Sequence, residues 1–536
     1  MTHLPQFPNQ CLFTSTLILG EKRGQANLNF PGVLATLATD RRSDADESTV
    51  TIDMLHDDAL LEIFDLYRRL VSYFDDGIWR WQKLLHVCRR WRHIVLSSPR
   101  RLNLQIACDP GTPTRKLLDI WPPFPISVSS FSPFMTDPRR KDNIIAALER
   151  RDRVFRIDFS DIPSAELDQI VSTMEEPFPA LTHLCVHPDD IIWVRTAMEA
   201  TVTHVAPLPL PNGFLGGSAP RLQELSLQDV PFPALPNLVL SATHFHTLRL
   251  LNVPHTGYIS PQVMVNFLLA LPNLKSLTIA FASPESRPHQ MIPLPLARTI
   301  LPSLTNFRFV GASEYLVDFI AQIDTPLLDQ LDMTFFSDVI FEIPRLYKFL
   351  DRGDGRKPFA RAKLRLCRWR AMIFLESSSN FKMDIACKVS DWPLESMTQV
   401  CDQLIPLLSQ VEKLEIHEDC WDRAECLDND EEELQEIVED PDWLELLNPF
   451  VSVKSLYIAD RLGLILSSVL ERITGERVTG VLPALQNLFI RPNEKFVEKT
   501  MTSFVSARQL YDHPIVVQRW EREEKTATRW RGWMSC

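Results

Sequence analysis

The spacing of apolar residues divides the chain into segments of different period. From Ile52, the positions Leu60, Ile63, Phe64, Tyr67 and Val71 recur at helical intervals. Asp57 and Asp58 stand where they would cap that helix and complement its dipole. After a break at Asp75-Asp76-Gly77, the spacing predicts a second helix from about Trp81 to Leu96, with Trp81, Leu84, Val87, Cys88, Trp91 and Val95 on one face. Two short amphipathic helices have too small a core to stand alone, so they must pack on a neighbour or a partner. Residues 1–50 mix Pro, Asn, Gly, Thr and Ser with short apolar patches. They bury too little to offset their ordering entropy and read as a flexible leader, with a docking peptide as the alternative.

From about Leu102 to about Leu510 a unit recurs: Pro, any residue, Leu, two residues, then two apolar residues separated by one other. The best copies end at Leu184-Cys185-Val186, Leu225-Ser226-Leu227, Leu277-Thr278-Ile279, Phe307-Arg308-Phe309, Leu331-Asp332-Met333 and Leu488-Phe489-Ile490. Copies without the proline end at Phe159, Leu250, Ile416 and Ile458. Two apolar residues in period two point to one face of a short strand, and the upstream Leu fills the same core. Helical stretches lie between copies, such as Pro261 to Leu271, with Ser260 as cap, and Ser313 to Ile323. Strand, helix, strand at such intervals implies parallel strands, because the crossover needs a dozen or more residues. Each unit leaves an apolar face uncovered, so the units must stack into a curved solenoid. Between Leu328 and Val411 the period lapses, and at least two divergent units are expected, around Leu364-Arg-Leu366 and Met383-Asp-Ile385. The stretch Ala206 to Gly217 reads as a projecting loop.

Composition adds exclusions. Glycine is scarce (16 of 536) and proline abundant (40), so phosphate-cradling loops are not expected and segments start and stop often. The ten cysteines form no C-x-x-C pair and read as reduced, mostly buried thiols. No H-E-x-x-H, G-x-S-x-G, P-loop or G-x-G-x-x-G is present, and neither His183 and His187 nor His244 and His246 suggest a third ligand. No enzyme activity, cofactor or metal is expected. No apolar run approaches a spanning helix, so the chain reads as soluble and intracellular, in cytoplasm or nucleus.

The net charge of −13 is local: Glu418 to Asp442 holds 13 acids and one base, interrupting the repeat between Ile416 and Ile458. This insertion is either a solvated loop, or an electrostatic lure or cover. Conversely, Arg80 to Arg101 holds seven Lys or Arg and no acid, fitting phosphate contacts or an acidic protein partner. Trp520, Trp530 and Trp533 lie among arginines at the C-terminus, as a partner-stacking or a capping tail.

The segment Ile52-Asp-Met-Leu55-His-Asp-Asp-Ala-Leu60-Leu61-Glu-Ile63-Phe64, followed by Trp81-Gln-Lys-Leu84-Leu85-His-Val87-Cys88-Arg89-Arg90-Trp91-Arg92, resembles the F-box. That family starts with L-P-x-E-L/I-L-x-x-I-F and centres on V-C-R-x-W-R. His56 stands where the family usually has Pro, and the interval from Phe64 to Val87 is longer than in the shortest F-boxes. The whole chain looks like the F-box proteins with leucine-rich-like repeats found in mushroom-forming fungi. The resemblance implies an α/β chain: a helical F-box module (51–101) after the leader (1–50), then a curved, parallel-strand, leucine-rich-repeat-like solenoid (102–515, acidic insertion 418–442) and a tail (516–536). It further implies docking on a Skp-type adaptor, and through it on cullin and RING subunits. Leu55, Leu60, Ile63, Phe64, Leu84, Val87, Cys88 and Trp91 would contact the adaptor. The repeats would present a protein substrate for ubiquitin transfer, with no nucleic acid or membrane as partner. Without the resemblance, the same helices read as the core of a helical cap, and the chain as a repeat scaffold outside any ligase.

Overall fold

The computed structural model describes residues 52–69, 80–109, 113–130, 140–188, 209–288, 298–336, 344–350, 358–367, 370–377, 380–386, 393–418, 442–473, 475–490 and 495–520. The leader, the Asp75-Asp76-Gly77 break, nearly all of the acidic insertion, and Trp530 and Trp533 lie outside them. The chain divides into two compact units, residues 1–60 and 61–536. In the first, a short 3-10 turn at Ile52–Met54 precedes the start of the helix Asp57–Arg69, with Asp57 and Asp58 in its first turn.

The second unit is built on strands. In chain order they are β1 (Ile106–Cys108), β2 (Ile126–Ser129), β3 (Val154–Ile162), β4 (His183–Pro188), β5 (Glu224–Gln228) and β6 (Thr247–Val253). There follow β7 (Ser276–Phe281), β8 (Thr299–Ile300), β9 (Asn306–Gly311), β10 (Ile323–Asp324), β11 (Gln330–Phe335) and β12 (Arg361–Cys367). The last six are β13 (Arg370–Glu376), β14 (Asn380–Ala386), β15 (Lys413–Glu418), β16 (Ser455–Ile458), β17 (Asn487–Ile490) and β18 (Val516–Arg519). Among the described residues, sixteen of these form one sheet in the order β1-β2-β3-β4-β5-β6-β7-β9-β11-β14-β13-β12-β15-β16-β17-β18, while β8 and β10 pair separately. The sheet is mostly parallel, consistent with a repeat solenoid.

Every sequence copy of the repeat supplies a strand of this sheet, and its proline explains the approach. In Phe178-Pro179-Ala180-Leu181 the Leu181 amide donates to the Phe178 carbonyl at 3.1 Å, and the same i to i+3 turn recurs at Ala219 to Leu222, Leu271 to Leu274, Thr325 to Leu328 and Leu482 to Leu485. Proline sits second in each turn, where its fixed φ is already correct and no amide is required. The turn's last Leu is then buried in every copy. One carbonyl of each unit next receives two successive amides of the following one: Lys275 and Ser276 donate to His246, and Thr305 and Asn306 to Lys275. The apolar pair of each strand continues the core, so that Leu184, Leu225, Leu248, Leu277, Phe307 and Leu331 lie side by side in register. Helices close the other side; Pro261–Leu268 starts as expected, with the Ser260 side chain accepting from the Val263 amide.

Four expectations need correction. The lapse between Leu328 and Val411 contains the two expected strands, at Leu364 and Met383, each parallel to its neighbour in the series, but they are not consecutive repeats: a third strand lies between them and their order in the sheet is reversed. β12, β13 and β14 form an antiparallel meander, with β13 between the other two, set into the parallel series through β14 on β11 and β12 on β15. The single helix expected from Trp81 to Leu96 is two, Arg80–Leu85 and Arg89–Ser97. Cys88 is extended between them, and its sulfur caps the second by accepting from the Trp91 amide. Residues 210–217 do not project: Leu210, Phe214 and Leu215 are buried, and the Leu215 amide donates to Met174 O at 2.7 Å. Gly216, at φ 63°, lies so close to Pro177 that a Cβ would stand 2.6 Å from its ring. Finally, β18 adds a parallel strand beside β17 within the segment read as a tail.

Candidate functional site

The repeat places one residue of each unit at the centre of the face opposite the apolar core. In most strands this is the residue between the two apolar ones, in β2 and β18 it is the one after Val128 and Val517, and the strand register joins these into one row. Running across the sheet, it reads Ser129, Asp158, Cys185, Ser226, Arg249, Thr278, Arg308 and Asp332. It continues through Lys382, Phe374, Lys363, Glu415, Tyr457, Phe489 and Gln518. In the copies of the repeat, the row falls on the position that the apolar pattern leaves undefined.

Three chemically distinct zones follow along it. At the N-terminal end are small polar and titratable groups. Ser160 donates to Asp158 at 2.6 Å; His187 Nε2 lies 2.9 Å from Ser226 Oγ and 3.5 Å from Cys185 Sγ. His183 contacts the Thr182 hydroxyl at 2.7 Å and faces Glu224 at 3.9 Å. Both histidines are on β4, whereas His244 precedes β6 and is not on a strand. Burial holds the His183 imidazole below its ordinary pKa; Glu224 opposes this, and Arg156 and His246 add to it.

That shift has a consequence for acid stability. With the folded value depressed, the unfolded chain binds the proton first, so His183 contributes stability that is present above about pH 6.5 and is lost as pH falls below it. His183→Gln is expected to flatten the loss of stability measured between pH 7 and pH 5. An unchanged slope would show that burial of His183 does not govern it.

The middle zone is charged. Lys382 lies 3.7 Å from Asp332 and 3.8 Å from Asp384, Arg370 is 3.5 Å from Asp384, and Lys363 is 3.2 Å from Glu415. The Phe374 ring stands between two cations, 5.0 Å from the Arg365 guanidinium and 5.8 Å from Lys382 Nζ. The C-terminal zone is aromatic. Tyr457 and Phe489 stack at 4.2 Å, Lys413 sits 3.9 Å over Tyr457, and Trp520 meets Tyr457 edge-on at 5.2 Å. Aromatic rings and arginine are the residue types enriched at protein-binding surfaces in general.

The eight residues read as adaptor contacts divide by exposure. In the first unit, Leu55 is half-buried and Leu60 buried. In the second, Phe64 and Leu84 are buried, and Cys88 and Trp91 half-buried. The Phe64 and Trp91 rings meet at 4.7 Å and join the helix carrying Phe64 to Arg89–Ser97. Ile63 and Val87 are 42% and 57% exposed, and Leu66, which sequence reasoning missed, is 55% exposed. The basic stretch is partly engaged within the fold: Arg92 donates to the Leu85 carbonyl at 3.0 Å, and Arg101 pairs with Glu62 at 2.6 Å. No helix of the described residues is long and apolar enough to cross a membrane.

No known family model matches the chain, and no curated protein matches it. Among solved structures, the leucine-rich repeat-containing protein LegL7 from Legionella pneumophila is similar in part, with 12% identity, a TM-score of 0.17, and coverage of 53% of this chain and 90% of that one.

Proposed function

We propose that this chain is a non-catalytic recognition protein, and specifically the substrate-binding subunit of a Skp-cullin-F-box ubiquitin ligase. The helical segment binds a Skp-type adaptor, cullin and RING subunits follow through it, and the row on the polar face of the sheet holds a protein target. The observation that carries this reading is the division of labour within the F-box-like motif. Phe64 and Trp91 lock the helices together, while Ile63, Leu66 and Val87 remain exposed where water solvates them poorly.

Exposed positions make clean probes, because their substitution changes folding stability by only about 0.5 kcal/mol. Ile63→Asp and Val87→Asp are expected to weaken capture by a purified Skp-type adaptor about tenfold each, with unchanged thermal melting. No capture of the wild type at micromolar protein, or equal capture of all three, would end the ligase assignment. A repeat scaffold acting outside any ligase is the reading favoured in that event, and it has its own observation. His56, exposed, stands where the F-box pattern usually has Pro.

A further inference from the structure

The central row carries cations at a regular interval. In sheet order it reads Arg249 on β6, Thr278 on β7, Arg308 on β9, Asp332 on β11, Lys382 on β14, Phe374 on β13 and Lys363 on β12. A cation therefore stands on every second strand, four times in succession. Neighbouring strands are about 4.8 Å apart, so the cations repeat at about 9.6 Å along a line perpendicular to the strands. Among the described residues, Arg249 forms no ion pair although it is half-buried, and Arg308 reaches Asp332 only at 3.8 Å. The floor beside Arg249 is made of small residues: Ser226 and Thr278 are buried. Asp332 between Arg308 and Lys382, and Glu415 beyond Lys363, place negative charge in two of the alternate positions, where they face Arg308, Lys382 and Lys363 at 3.8, 3.7 and 3.2 Å, and Thr278 and Phe374 fill the other two.

We propose that this row binds an acidic segment of a partner protein in polyproline II conformation, with a carboxylate at every third residue, lying across the strands. The spacing selects the conformation. A polyproline II helix turns once in three residues and rises about 3.1 Å per residue, so side chains at i, i+3 and i+6 share one face at about 9.3 Å intervals. A β-strand repeats its face at about 6.7 Å and an α-helix at about 5.4 Å per turn; neither keeps step with four cations at this interval. Asp332 supplies the opposite effect: a peptide shifted by one strand would set a carboxylate against it. The inference rests on the polar face being the recognition surface.

The test uses the full chain and two labelled twelve-residue peptides of equal composition, Glu-Pro-Pro repeated four times and four Glu followed by eight Pro, with binding read by fluorescence anisotropy. The repeated triplet is expected to bind about tenfold more tightly at low salt, and Arg249→Ala and Arg308→Ala should each weaken it about fivefold while leaving thermal melting unchanged. Equal affinity for both peptides, no binding of either, or indifference to Arg249→Ala overturns the proposal. Partners captured from lysate by the wild type and by Thr278→Tyr separate the two levels of failure. If Thr278→Tyr loses partners with which the triplet peptide does not compete, the ligand class is wrong and the face still recognises protein. If Thr278→Tyr keeps them all, the assignment of the face falls as well.

Discussion

Replacing Arg508 with Ala is expected to destabilise the C-terminal end of the solenoid by about 3–5 kcal/mol, more than removing most core aliphatic side chains. Arg508 lies on the helix Lys495–Leu510 and is fully buried. Its Nη1 donates to the carbonyls of Val478, Val481 and Leu482 at 3.2, 3.0 and 3.3 Å, and its Nη2 donates to Pro483 at 3.2 Å. These carbonyls belong to the short helix Arg477–Gly480 and the turn after it, where an interrupted helix leaves acceptors without amides. Leu482 has φ 47°, a left-handed conformation costing a branched side chain on the order of 1–2 kcal/mol, and it is followed directly by Pro483. One guanidinium thus satisfies four acceptors, two of them on the buried residues Val478 and Leu482, and holds a strained turn at the entry to β17. Alanine leaves the two buried acceptors dry at about 1–3 kcal/mol each, partly recovered as water enters. Lysine, a single ammonium without the planar fork, should restore less than half. Because repeat stability passes mainly between neighbours, hydrogen exchange is the informative measurement. Protection should fall across residues 477–519 and persist from β3 to β9. Unchanged exchange in both regions would mean that the turn holds without its clamp.

How much of this fold was legible depended on where two requirements coincided. In the copies with proline, the turn residue and the core residues fall within eight positions, so the strands β4, β5, β7, β9, β11 and β17 are all marked. β13, Arg370-Ala-Met-Ile-Phe-Leu-Glu, is an unbroken apolar run between charged ends, with no alternation and no Pro-x-Leu approach. Its direction was nevertheless encoded. Only two residues separate Cys367 from Arg370 and three separate Glu376 from Asn380, too few for the crossover that a parallel pair needs. The split between Arg80–Leu85 and Arg89–Ser97 was hidden because Trp81, Leu84 and Trp91 stay in helical phase across it, and because cysteine is an unusual cap. The candidate site was the least legible. An apolar signature identifies what is buried, whereas the row across the sheet consists of the residue that the signature leaves undefined. The motif in the helical segment pointed to eight residues without separating those that pack, such as Phe64 and Leu84, from those that remain exposed, such as Ile63 and Val87.

Two neighbours in the aromatic core should respond to substitution differently, one with a large loss of stability and the other with none. Phe309, on the apolar face of β9, is fully buried and contacts Tyr315 at 5.7 Å, Phe335 at 6.3 Å and Phe281 at 6.4 Å. Gly311 makes room for it: a Cβ there would stand 2.8 Å from the Phe309 ring. Phe309→Ala removes those contacts from a site whose walls belong to three strands and a helix, and should cost about 3–5 kcal/mol. Tyr315, in the helix Ser313–Gln322, is equally buried, and its ring packs on Phe281 at 4.8 Å. Among the described residues its hydroxyl has no hydrogen-bond partner, and burial raises its pKa well above the ordinary tyrosine value. A dry hydroxyl without a partner is a penalty of about 1–3 kcal/mol that phenylalanine does not carry, while the ring contacts are the same. Tyr315→Phe is therefore expected to be neutral or to stabilise by about 1 kcal/mol, read as a shift in the urea midpoint at unchanged slope. Destabilisation beyond about 1 kcal/mol would show that the hydroxyl is satisfied in solution, and that this core depends on a polar contact as well as on ring packing.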